Sequence, residues 1–184
     1  MKNTLRAILV LLTICSESYA SSFVALSTQI KPNKTISEDH IFNGFGCSGK
    51  NISPQIIWKN APKETKSFAV TVYDPDAPTG SGWWHWLVVN IPASKSELPT
   101  NFGNENKFNL ADGSVQVRND YGVYSFGGPC PPKGAKAHRY IFTVHALSVE
   151  KLDLSSDATA ALAGFMINHN SLAKAKFVAF FGRK

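Results

Sequence analysis

The sequence predicts one mainly β domain, a β sandwich with a single helix near its C-terminal end. Three observations carry this prediction. Short segments of alternating apolar and polar residues recur along the chain, each closed by Gly, Pro, Asn or Ser, which is the rhythm of sandwich strands. The 184 residues, 43% hydrophobic and 17% charged, suit one globular domain with a core of its own. Only the stretch after Ser155 leaves the two-residue period for a helical one.

Residues 1–20 stand apart from that domain, which spans 21–184. Lys2 and Arg6 precede a mostly apolar run, Ala7–Ile14, and Ser18-Tyr19-Ala20 ends in small residues. That is the pattern of a secretory signal peptide cut after Ala20. Cys15 is a poor lipid-attachment site, because Ile14 stands where a small residue is expected. No apolar run is long enough to cross a bilayer, so the expected location is periplasmic or secreted, with no membrane span. Cleavage removes Lys2, Arg6 and Glu17 and lowers the net charge of +6 by one. The remaining excess sits around separate turns, at Lys59, Lys63 and Lys66 and at Lys133, Lys136 and Arg139. Scattered loop charge of this kind makes nucleic acid an unexpected partner. Cys47 and Cys130 are the two cysteines left, and in an oxidising compartment they are most simply one disulfide.

In chain order, strands are expected at Phe23–Ser27, His40–Phe42 and Gln55–Trp58. From Ser67 to Tyr73 the alternation places Phe68, Val70 and Val72 on one face, with Asp74 at the end of that row. Pro75 and Pro78 stop the strand and stiffen the loop that carries Asp76. Thr79-Gly80-Ser81-Gly82 turns the chain back. On the return strand strict alternation puts Trp83, His85, Leu87 and Val89 on one face, and Trp84, Trp86, Val88 and Asn90 on the other. Ile91–Asp112 is a long polar connection, and Ser114–Val117 follows the Asp112-Gly113 turn as a strand. After a proline-rich loop, His138, Tyr140, Phe142 and Val144 share a face opposite Arg139, Ile141, Thr143 and His145. Ser155 or Ser156 can cap a helix with Leu162, Phe165, Met166 and His169 along one side. Lys176–Phe181 is the last strand, before a basic tail of Gly182-Arg183-Lys184.

The segments DPDAPTGSGWWHWLVVN, from Asp74, and PPKGAKAHRYIFTVHAL, from Pro131, resemble the signature blocks of the phosphatidylethanolamine-binding protein family, in its bacterial Raf-kinase-inhibitor-like branch. The similarity runs from about Phe23 to the C-terminus and includes Asn51-Ile52-Ser53-Pro54. One departure is that the family has Gly two places before the histidine of the second block, where Lys136 stands here. The resemblance implies an antiparallel sandwich of a large and a small sheet, with Greek-key connections and short flanking helices. It also implies a small anion pocket formed by Asp74, Asp76, Ala77, Pro78, Trp83, His85, Pro132, His138 and Tyr140, with Arg139 as structural support. The ligand so implied is phosphate or a phospholipid head group such as phosphoethanolamine, with no cofactor and no metal. Family members inhibit kinases or serine proteases, so a protein partner is also implied; a homodimer is left open.

The residues themselves suit that chemistry. His85 and His138 can each offer an N–H to an anion. Asp74 would repel the anion, so its expected place is behind an imidazole, accepting the far N–H while His85 faces the ligand. Asp76 is expected to pair with Arg139 or with its own loop. Trp83 and Tyr140 form a wall, while Trp84, Trp86, His40, His145 and His169 are read as packing. The alternative is a phosphoester hydrolase or a metal-dependent enzyme using the same His and Asp side chains. No serine or cysteine stands in a nucleophile context and no metal-binding motif is present, so a non-catalytic binding protein is expected.

Overall fold

The computed structural model describes residues 21–184; the expected signal peptide lies outside the described residues. The strands are β1 (Val24–Leu26), β2 (Asn43–Gly44), β3 (Cys47–Ser48), β4 (Ile56–Lys59), β5 (Ser67–Asp74), β6 (Trp83–Pro92), β7 (Glu97–Leu98), β8 (Val115–Gln116), β9 (His138–Leu147) and β10 (Ser171–Phe181), with the helix α1 (Ala160–Asn170) before β10. A large sheet runs in the order β10-β9-β5-β6-β8, a small one in the order β1-β4-β7, and β2-β3 forms a hairpin. Every strand pair is antiparallel. The mainly β sandwich is therefore observed. The expected strand at His40–Phe42 is not: Glu38–His40 forms a short 3-10 turn there.

Two cores follow from the two faces of the large sheet. Phe68, Val70, Val72, Trp86, Val88, Phe142 and Val144 pack against Ile56, Trp58 and Leu98 of the small sheet. Ala69, Leu87 and Val89 face the other way, toward Ala160, Ala163 and Ile167 of α1. Burying apolar surface on both faces accounts for the nearly continuous apolar character of β6, as in any strand covered on two sides.

Helix α1 is turned relative to the sequence reading. Its cap is Thr159, whose hydroxyl accepts from the Leu162 N–H at 3.1 Å, not Ser155 or Ser156. Its buried side is Ala160, Ala163, Gly164 and Ile167, while Leu162 and Phe165 are 47% and 68% exposed. The small side chains sit beneath the sheet because a Cβ on Gly164 would already lie 3.2 Å from the Trp84 ring. Close approach, rather than the largest apolar residues, decides which side is buried.

Strict alternation also fails along β6. Val72 lies opposite Trp86, yet Tyr73 lies opposite Trp84, so His85 is an extra residue in that strand. Such a bulge shifts every preceding side chain to the other face. Trp83, opposite Asp74, and His85 therefore join the face of Trp86 and Val88, although the sequence reading grouped them with Leu87 and Val89.

Candidate functional site

At one end of the large sheet, β5 finishes with Asp74 and β9 begins with His138. The β6 bulge aims His85 into the same space, and together they border a cavity of about 150 Å³. Of the residues predicted for the site, Asp74, Ala77, Pro78, Trp83, His85, Pro132, His138 and Tyr140 line this cavity. Asp76 and Arg139 do not. Asp76 accepts from the Arg139 Nε at 2.9 Å, Nη2 at 2.6 Å and backbone N–H at 2.8 Å. That pairing holds its carboxyl down at about 2, and it ties the loop after β5 to the start of β9.

Asp74 does steady an imidazole, but it is that of His138. Its Oδ2 accepts from His138 Nδ1 at 2.7 Å, and its Oδ1 accepts from the Asp76 N–H at 2.8 Å. His138 is left with Nε2 as the nitrogen free to meet a ligand. His85 is held differently: its Nδ1 donates to the Gly127 carbonyl at 2.7 Å. The backbone oxygen that the bulge takes out of the ladder accepts from the Gly127 N–H at 3.0 Å and Asn119 Nδ2 at 3.0 Å.

This leaves three buried polar atoms without a partner around the cavity: His85 Nε2, Tyr140 Oη and Trp83 Nε1. Burial pushes the His85 pKa down, against the pull of the Gly127 carbonyl and of Asp74, so the ring is neutral near neutral pH. Burial pushes the phenols of Tyr121 and Tyr140 up, which keeps both protonated. Among the described residues no group of His, Cys, Asp or Glu is arranged to hold a metal ion, and no helix is long and apolar enough to cross a membrane.

A family model for phosphatidylethanolamine-binding proteins matches residues 26–182. The chain belongs to this family. Among the relatives that the phosphatidylethanolamine-binding proteins share with this chain, the UPF0098 protein YbcL of Escherichia coli strain K12 is 51% identical, the match covering 91% of each chain. The UPF0098 protein YbhB of the same organism is 48% identical over 85% of this chain and 98% of its own. The crystal structure of E. coli YbcL, described as a new member of the mammalian family, superposes with a TM-score of 0.86 at 50% identity, covering 89% of this chain and 100% of that one.

Several residues that shape the site in this family member have no strong sequence signal. Tyr121, Phe45, Thr79, Cys130 and Pro131 also line the cavity. The Tyr121 ring lies over Gly127, where a Cβ would come within 2.3 Å of it, and its hydroxyl donates to the Gly128 carbonyl at 2.9 Å. Asn51 accepts from the Gly128 N–H at 2.7 Å and donates to the Phe126 carbonyl at 3.2 Å, fixing the segment that anchors His85. Asn51 adopts a positive φ of 53°, a conformation that asparagine tolerates better than most residues. Cys47 and Cys130 are joined as a disulfide, linking the β2-β3 hairpin to the proline loop. No residue of the long connection between β6 and β8 borders the cavity.

Proposed function

We propose that the protein is a secreted or periplasmic, non-catalytic binding protein whose cavity takes a small anionic group of the phosphate or phospho-head-group class. The observation that carries this reading is the set of unpartnered, buried Tyr140 Oη, Trp83 Nε1 and His85 Nε2 around one cavity. Buried polar groups are left unpaired at a cost of about 1 to 3 kcal/mol each, and a bound oxyanion would accept from Tyr140 Oη and Trp83 Nε1, with its own O–H left to meet the His85 Nε2 lone pair. Hydrolysis is the weaker reading: the His138–Asp74 pair resembles a general base and its orienting acid, but the cavity offers no serine, and its cysteine is in a disulfide. Membership of the family further supports a regulatory role exerted on a protein partner.

The test is calorimetry with inorganic phosphate and phosphoethanolamine on the wild type and on a His85→Ala, His138→Ala double variant. The double variant is expected to lose at least tenfold in affinity while keeping its fold by circular dichroism. Unchanged affinity would remove the cavity from the reading.

A further inference from the structure

A second cavity, of about 320 Å³, lies on the other face of the large sheet, between its strands and α1. It shares no lining residue with the cavity at the strand ends. Strand register arranges its floor in rows. Lys176 lies opposite Thr143, and Thr143 opposite Thr71, while Lys174 lies opposite His145. In the next row Ile141 lies opposite Tyr73, and Tyr73 opposite Trp84. The floor thus runs from two ammonium groups on β10, through hydroxyls on β9 and β5, to the Tyr73 and Trp84 rings, whose centroids are 4.6 Å apart. Strands β10 and β6 are three strand spacings apart, about 14 Å. Helix α1 roofs this span without filling it. Gly164 lets the helix approach the Trp84 ring at one end, and Asn168 Oδ1 accepts from Lys174 Nζ at the other.

The charge in this space is all of one sign. No aspartate or glutamate lines it, and among the described residues neither lysine is in an ion pair. His145 adds no charge, because burial and the neighbouring Lys174 push its pKa down to about 4. Its ring nitrogens are both engaged. Ser171 Oγ gives its proton to the Ile167 carbonyl, so His145 Nδ1 donates to Ser171 Oγ at 3.2 Å and Nε2 accepts from Thr71 Oγ1 at 3.3 Å. Lys174, Lys176 and the Thr143 hydroxyl remain as the donors that line the cavity.

We propose that this cavity is a second binding site, for an organic carboxylate with a flat apolar body. The carboxylate meets Lys174 and Lys176, and the body lies under α1 against the Tyr73 and Trp84 rings. Charge complementarity sets the sign of the ligand, since two cations with no lining acid repel a cation and attract an anion. The aromatic end sets its other half: a bare inorganic anion leaves that apolar surface uncovered, whereas a ring buries it. A flat body suits a space bounded by a sheet below and a helix above. The site is independent of whatever the cavity at the strand ends binds.

Three probes test this at pH 7: 2-naphthoate, its uncharged counterpart 2-naphthylmethanol, and acetate. Each is titrated into the isotope-labelled protein, with amide chemical shifts giving the place of binding and calorimetry the affinity. Naphthoate should shift the amides of Gly164, Asn168, Lys174 and Lys176. It should bind about tenfold or more tightly than either other probe, because a charged hydrogen bond is worth about 1.5 to 3 kcal/mol. A Lys174→Gln, Lys176→Gln double variant should lose about tenfold for naphthoate and nothing for naphthylmethanol. Both lysines are exposed, so the fold should survive the change, and the wild-type shifts decide the location without it. Equal affinity for naphthoate and naphthylmethanol, or for naphthoate and acetate, overturns the proposal. So do unchanged affinity in the double variant, absence of saturable binding, and shifts confined to Asp74, His85 and Tyr140. None of these results bears on phosphate binding at the strand ends, which the calorimetry described above tests separately.

Discussion

Two aspartates lie two residues apart, Asp74 closing β5 and Asp76 in the loop after it, and do unrelated work. Asp74 is 3% exposed and joins a buried histidine to the backbone of the loop. Asp76 pairs with Arg139, whose side chain is half exposed. Removing one partner of a buried pair costs about 3 to 5 kcal/mol, whereas an exposed pair contributes about 1 kcal/mol or less. Asp74→Ala should therefore lower unfolding stability in urea by about 3 kcal/mol, and Asp76→Ala by no more than about 1. Equal losses would mean that the bond between Asp74 and His138 is not a structural tie. His85 belongs at this scale too: the residue could be picked from sequence, but its hydrogen-bonding sense depended on which atom met Nδ1.

At the scale of elements, the β6 bulge is the step from strand to site. Without the extra residue, His85 would share the face of Leu87 and Val89 and point toward α1. With it, His85 and Trp83 reach the face where β5 and β9 deliver Asp74, His138 and Tyr140. Bulges re-aim side chains in this way at a local cost in ladder pairing, and here Gly127 and Asn119 make up the lost backbone bonds. Ile167→Ala should cost about 2 to 5 kcal/mol, since it empties a filled site against Ala69, Leu87 and Val89. Phe165→Ser should change stability by only about 0.5 kcal/mol. Thermal melts of the two variants check this, and a larger loss from Phe165→Ser would place the helix on its other side.

For the whole molecule, the cavity is closed by segments distant in sequence. The disulfide spans 83 positions and brings Phe45 and Cys130 to the same rim. The basic tail is part of that closure rather than loose charge: Arg183 Nε donates to the Pro131 carbonyl at 2.7 Å and Nη1 to the Gly46 carbonyl at 2.9 Å. Closing a loop of this length contributes about 4 to 5 kcal/mol in the chain-entropy model. Reduction of the folded protein should lower its urea midpoint accordingly. Two reactive thiols in the protein purified without reductant would refute the pairing in solution.

The sequence by itself determined the fold class and the ends of β5 and β9, because local periodicity and proline stops record them directly, and the resemblance carried by two contiguous motifs pointed to eight of the residues that line the cavity. The Asp76–Arg139 pair was legible only in part: the residues offered either Arg139 or the loop's own backbone as partner, and the resemblance placed Asp76 in the pocket, whereas both of its oxygens are taken by Arg139. Tertiary structure alone decided which histidine Asp74 holds, which side of α1 is buried and which face of the sheet His85 joins. None of these is a local property. The first depends on β9 lying beside β5, the second on how near α1 comes to Trp84, and the third on one residue that pairs with nothing across the strand. Tyr121, Asn51 and Arg183 stayed hidden for the same reason, since each acts on a segment that only folding brings within a hydrogen bond's length.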